Sequence, residues 1–189
     1  MKKPFKVYYF LLYEGHTEFV IFSYLKNRFR GEFSKSNIIF SDKTDYSNNG
    51  ETIVFRGKLG GIGGISNFNS KYNVIKLNFP ERTFLIFLDN DLDDSSKIKE
   101  KIEKNGDIVQ LIEYNSEYLL LKLSGYGPKE PGEFKDLKTF RDYCKSEFLT
   151  KFGKEASRIN DFDLDGAFQY VSDDKIKEIF SGLFSILNK

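Results

Sequence analysis

The sequence predicts an α/β fold, a sandwich of helices around a mostly parallel sheet, and three observations predict it. Two short, almost wholly apolar runs, FKVYYFLLY (5–13) and TFLIFLD (83–89), read as strands buried on both faces. Each is followed at once by a segment with helical spacing. A third β-prone run, DIVQLIEY (107–114), comes after the second of those helices, so strand and helix alternate at least twice, the pattern of a sheet covered on both sides.

The first strand is too short for an independent helix and stops at Gly15. Thr17 is placed to cap the helix TEFVIFSYLKNRF, in which Phe19, Val20, Phe22, Tyr24, Leu25 and Phe29 recur at helical intervals. Residues 38–46 read as a weaker strand, and 48–78 yield no assignment. Within that stretch GKLGGIGGI carries glycines at 57, 60, 61, 63 and 64, but the Lys-Ser/Thr ending of a phosphate-binding loop is missing, which leaves a flexible turn as the expectation. After the strand 83–89 a solvated helix runs from Ser95 to about Asn105, and SGYGPKEPG (124–132) reads as a loop. Two helical stripes close the chain: Phe134, Leu137, Phe140, Cys144 and Phe148, then Ile176, Ile179, Phe180, Leu183, Phe184 and Leu187 on a single helix over 173–189. The expected organisation is an α/β domain over 1–125 with a helical extension, 126–189, packed on it.

Composition narrows the chemistry. With 29 Lys+Arg against 28 Asp+Glu the net charge is +1, so an anionic partner must be caught by a local patch or a metal. One cysteine excludes an intramolecular disulfide framework, and one histidine excludes a multi-histidine metal centre. Any metal would be held mainly by oxygen. The segment MKKPFKVYYFLLYEG has a basic start and an apolar run, but Glu14 follows and no small-residue cleavage site appears, so no signal peptide is expected. No stretch reaches the ~18 to 20 apolar residues needed to cross a bilayer. A soluble, cytoplasmic protein without a membrane partner is the expectation.

Glu14, Asp89, Asp91 and Asp93 each follow a buried strand directly, so parallel pairing of the two strands brings four carboxylates to one sheet edge. Carboxylates crowded together repel, and a hard divalent ion offsets that repulsion. Such a cluster fits a phosphate-handling metal site. His16 reads as an exposed turn residue, and Cys144, on an apolar stripe, as core.

LLYEGHTEF, FLIFLDNDLDD and NSEYLLLKL resemble the motifs of the TOPRIM domain shared by topoisomerases, primases and the OLD and RloB nucleases. In form they are closest to the small RloB- and OLD-type members. The resemblance covers about residues 5–125 and implies a compact four-stranded parallel sheet, Mg²⁺ or Mn²⁺ dependence and cleavage of DNA or RNA phosphodiester bonds. Carried over by motif, Glu14 is a general acid/base or a metal ligand, Asp89 and Asp91 are metal ligands, and Glu18, Asp93 and Glu117 are candidates for a second metal. His16 stands where RloB proteins often carry a longer insert, and the middle region has no counterpart. The resemblance further implies anti-phage defence beside an ATPase partner, since the chain shows no nucleotide loop of its own.

Bland readings stand beside these. Glu18 and Glu117 each suit a solvated helix start, where a carboxylate opposes the helix dipole. Asp89, Asp91, Asp93 and Glu100 occupy positions 1, 3, 5 and 12 of an EF-hand loop, but Asp94 takes the place of its glycine and a strand precedes it. A haloacid-dehalogenase-like phosphatase would leave the Glu14 motif without a role, and a catalytically silent TOPRIM-like binding module is the alternative of a different class. For grip on phosphates the expected residues are Lys26, Arg28 and Arg30 together with Lys151, Lys154 and Arg158. The C-terminal apolar face can pack internally or meet a partner, and oligomeric state is left open.

Overall fold

The computed structural model describes residues 6–48, 51–61, 65–91 and 94–187. Its centre is a four-stranded, all-parallel sheet in the order β2-β1-β5-β6. Strand β1 (Val7–Tyr13) pairs with β2 (Ile38–Ser41) on one side and β5 (Thr83–Asp89) on the other, and β5 pairs with β6 (Ile108–Ile112). The fold is α/β, as the alternation predicts. A separate antiparallel pair, β3 (Thr44–Asn48) and β4 (Glu51–Phe55), lies between β2 and α3 (Ile65–Asn78) in the chain.

Period-two alternation divides the strand side chains between two cores. Tyr9, Leu11, Tyr13, Leu85 and Phe87 face α1 (His16–Arg28), α5 (Ser116–Leu123), α6 (Leu137–Phe152), α7 (Asp161–Phe168), α8 (Asp173–Ile179) and α9 (Ser181–Leu187). Phe10, Leu12, Phe84, Ile86 and Leu88 face α3 and α4 (Ser95–Lys104). Both faces are therefore dry, which is why β1 and β5 are continuous apolar runs instead of alternating ones. A short helix α2 (Arg30–Lys35) precedes β2.

Several expectations change. The weak strand expected over 38–46 is two strands, broken where the Ser41 hydroxyl donates to the Lys43 carbonyl at 2.9 Å. Helix α3 is absent from the sequence reading, although Phe68, Tyr72 and Ile75 form its buried stripe. Thr17 is not the cap of α1: that helix starts at His16, with Gly15 before it, and Thr17 is buried in its first turn. The single helix expected over 173–189 is two, joined at Phe180.

The junction of α8 and α9 has a physical cause in β6. The buried Gln110 side chain donates to the Ile179 carbonyl at 3.1 Å and accepts from the Leu183 N–H at 3.1 Å, so it satisfies backbone groups that the break exposes. A Cβ on Gly182 would lie 2.5 Å from the Val109 carbonyl oxygen, so only glycine lets α9 approach the strand this closely. Phe180, Leu183, Phe184 and Ile186 are all buried in the main core. The apolar C-terminal face is thus used internally. Phe148, Leu164, Phe168 and Ile176 join that same core, so the residues after 126 pack directly on the sheet layer.

Candidate active site at the carboxyl ends of the strands

From β1 the chain crosses to β2 on one flank of the sheet, and from β5 to β6 on the other, with α1 and α4 on opposite faces. The reversal falls between β1 and β5. In open α/β sheets that switch point opens a crevice beyond the carboxyl ends of the strands, the usual ligand position. Glu14 is the first residue past β1 and Asp89 the last of β5, so the topology puts both at its mouth.

The backbone of Glu14 is fixed from two sides. Its N–H donates to the Phe87 carbonyl at 3.3 Å and its own carbonyl accepts from the Gly60 N–H at 2.9 Å. The glycine segment continues along β1: Tyr13 donates to the Gly57 carbonyl at 2.8 Å, and the Leu59 N–H donates to the Tyr13 carbonyl at 2.7 Å. Gly57 has φ +57°, and a Cβ there would collide with the Leu11 carbonyl oxygen. The described part of GKLGGIGGI is therefore a hydrogen-bonded ribbon that holds the Glu14 turn, in place of the free turn expected. Gly63 and Gly64 lie outside the described residues.

Glu18 enters from the first turn of α1. Its Oε2 accepts from the Gly15 N–H at 2.5 Å, closing the helix start, and its Oε1 accepts from the Ser116 hydroxyl at 2.7 Å. Ser116 Oγ also lies 3.1 Å from Asp89 Oδ1. Glu18 and Ser116 are buried, at 4% and 2% exposure, so this contact is shielded from water. The solvated helix-start reading of Glu18 does not hold.

Asp89 carries the electrostatic load of the site. Burial pushes its carboxyl well above the usual carboxylate range, and the negative charges of Glu18, Glu14, Glu117 and Asp91 push it further. Glu117, in the first turn of α5, is also raised, chiefly by burial, with Glu18 and Asp91 adding and its backbone hydrogen bond and Lys145 opposing. Asp91 is raised by burial against the pull of Arg141, whose Nη1 stands 3.3 Å from Asp91 Oδ2, and of Lys145. Five of the six carboxylates singled out in the sequence, Glu14, Glu18, Asp89, Asp91 and Glu117, thus act on one another at one edge. Asp93 lies outside the described residues.

The turn that delivers Ser116 and Glu117 is strained. Tyr114 has φ +57°, a left-handed conformation that costs a non-glycine residue about 1–3 kcal/mol. Its ring meets Tyr118 and Phe140 edge-on, and Asn115 then caps α5 by accepting from the Tyr118 N–H at 2.8 Å. Packing and capping together hold the bend. Cys144 lies beside this cluster, fully buried, its thiol pushed up to about 12 chiefly by burial, so it is core as expected. His16 is exposed at the helix start, also as expected.

Sequence reasoning missed Ser116, Arg141 and Lys145. Arg141 and Lys145 are four apart on α6, each one position after Phe140 and Cys144 of its buried stripe, so one helical face presents both. The residues expected to grip phosphates have these places. Arg28 is about 15 Å down the axis of α1 from Glu18. Its guanidinium donates to the Tyr24 hydroxyl and to the Phe168 and Val171 carbonyls, and pairs with Asp173 at 2.9 Å. Lys154 is paired with Asp163 at 2.9 Å, and Lys151 lies 5.8 Å over the Tyr126 ring. Lys26, Arg30 and Arg158 are exposed; Lys26 lies in the last turn of α1 with Arg28, and Arg30 opens α2 just after it.

The EF-hand reading fails on structure, since Asp89 ends a strand and Asp94 immediately precedes α4 and pairs with Lys97 at 2.8 Å. As to a divalent ion, the donor set fits in kind: hard carboxylate oxygens, among them one whose ionised form is held at a disadvantage by negative neighbours. The spacing as it stands is not a closed cage, because no group of three or more His, Cys, Asp or Glu side chains among the described residues is arranged to hold a metal. No helix among the described residues is long and apolar enough to cross a membrane. Comparison with protein-family models, with curated proteins and with solved structures gives no match.

Proposed function

We propose that this chain is a divalent-metal-dependent nuclease that cleaves nucleic-acid phosphodiester bonds, with the TOPRIM-like arrangement its motifs resemble. The observation that carries the reading is the meeting of Glu14, Glu18, Asp89, Asp91 and Glu117 at the switch point of a parallel sheet, where burial and then the charges of the other four raise the Asp89 carboxyl. Asp89, Asp91 and Glu14 would hold Mg²⁺ or Mn²⁺, which when bound supplies neutralisation of the charge on the transferring phosphate. Glu18 keeps the start of α1 and Ser116 in place by its two hydrogen bonds, and so orients Asp89. The motif gives Glu14, on a backbone clamped by Phe87 and Gly60, general acid/base work as the alternative to metal ligation. The motif resemblance also supports an ATPase partner in anti-phage defence, in the cytoplasm.

One observation favours the silent-module alternative. Glu18 has hydrogen bonds to both of its oxygens and Asp91 is paired with Arg141, which is how a purely structural carboxylate set is stabilised. Incubating the protein with end-labelled DNA and RNA in Mg²⁺, Mn²⁺ or EDTA separates the two. The nuclease cuts at least one substrate only with metal, and Glu14→Gln loses that cleavage while keeping its melting temperature. Intact substrate under every condition leaves the binding module.

A further inference from the structure

At this edge Arg141 stands in ion-pair contact with Asp91, a carboxylate of the cluster, and it comes from the helical extension, not from the sheet. Its pair with Asp91 is lopsided in exposure: the arginine side chain is 35% exposed and the aspartate 12%. The aspartate is thus the more buried partner, and the arginine reaches it on a long, partly exposed side chain able to swing outward. Lys145, one helical turn along, adds a second positive charge that acts on Asp91 and Glu117.

A divalent ion at Asp91 would face the guanidinium at short range, with like charges repelling. Arginine, in turn, matches phosphate oxygens with its planar set of donors better than any other side chain. Resting on the nuclease reading above, we propose that Arg141 is the resident counter-ion of Asp91, that a divalent ion displaces it, and that the released guanidinium then binds a phosphate of the nucleic acid. Arg141 is in this account a substrate-binding residue as well as a competitor of the metal. The exchange makes metal entry and phosphate capture successive: the arginine becomes available only where the metal is already in place.

Opposite signs in two binding measurements test this. Mg²⁺ is titrated calorimetrically into the wild type, Arg141→Gln and Arg141→Lys, each checked by its melting curve. Removing the competitor should tighten Mg²⁺ binding about twofold to fivefold in Arg141→Gln, the span that a partly exposed ion pair contributes. The point-charged Arg141→Lys should stay near wild type. A fluorescent phosphorothioate single-stranded DNA, measured by anisotropy at saturating Mg²⁺, should bind more weakly to Arg141→Gln, with a salt slope lower by about 1. Equal or weaker Mg²⁺ binding in Arg141→Gln, or DNA binding of unchanged affinity and slope, overturns the exchange while leaving the nuclease reading standing. A wild type that binds no divalent ion overturns the reading beneath it.

Discussion

Glu18 of α1 and Asp89 of β5 reach the same hydroxyl, that of Ser116, at 2.7 and 3.1 Å. A serine hydroxyl has one proton to donate. If it serves Glu18, the contact with Asp89 favours a proton on the aspartate, the form toward which burial and the neighbouring negative charges push its carboxyl.

Ser116→Ala removes the shared donor and leaves Oε1 of the buried Glu18 without its hydroxyl partner. A buried charged acceptor that loses its partner costs about 1–3 kcal/mol. Urea denaturation near neutral pH should show a loss of that order, and saturating Mg²⁺ should restore part of it. A variant as stable as wild type would remove Ser116 from its organising role.

The raised carboxyls of Asp89 and Glu117 fix the sign of the pH dependence. The folded state holds these protons more tightly than the unfolded chain, so the contribution is destabilising above the folded-state values. It is relieved as pH falls through them toward the ordinary range near ~4. Metal-free protein should therefore gain stability on mild acidification from neutral pH, and Asp89→Asn should flatten that gain. A relief of about 1 kcal/mol corresponds to about 2–4 °C in melting temperature for a chain of this size. Melting curves in EDTA across the acid range check both parts.

Gly57 couples the glycine ribbon to Glu14. Gly57→Ala forces a side chain against the Leu11 carbonyl in a left-handed conformation, at a cost of about 1–3 kcal/mol. Because the same ribbon bonds the Glu14 carbonyl through Gly60, the variant should lose more metal-dependent cleavage than its stability loss explains. Gly61→Ala, whose Cβ would meet nothing within 4 Å among the described residues, is the control and should change neither.

Arg28 separates a phosphate contact from a structural clamp. Its bonds to the Phe168 and Val171 carbonyls and to Asp173 tie α1 to the end of α7 and the start of α8. Arg28→Ala should lower stability by about 1–3 kcal/mol. The salt slope of nucleic-acid binding should stay that of wild type. A slope reduced by about one unit would return Arg28 to the phosphate-gripping set.

The strands β1, β5 and β6 and the helices α1, α4 and α5 were legible because burial on both faces and helical spacing leave strong patterns. The carboxylates were legible for the same reason, since an acidic residue ending an apolar run has few other places to be. Helix α3 was not, although Ile65, Phe68, Tyr72 and Ile75 keep helical spacing. The four asparagines at 67, 69, 73 and 78, poor helix formers, obscure it. The β3–β4 hairpin was missed too, despite the turn-favouring Asn49-Gly50 pair between two β-prone runs. Arg141 and Ser116 belong to contacts between residues far apart in the chain, which no local pattern encodes. The break at Phe180 depends likewise on Gln110, a residue of another element.

The central claim is that the carboxylates at the ends of β1 and β5 hold a divalent cation. Calorimetric titration of Mg²⁺ and of Mn²⁺ into the wild type and into the Asp89→Ala/Asp91→Ala double variant tests it most directly. The account predicts saturable binding to the wild type, a melting temperature that rises with metal concentration by mass action, and loss of both in the double variant. No binding to the wild type, or equal binding to the double variant, would contradict it.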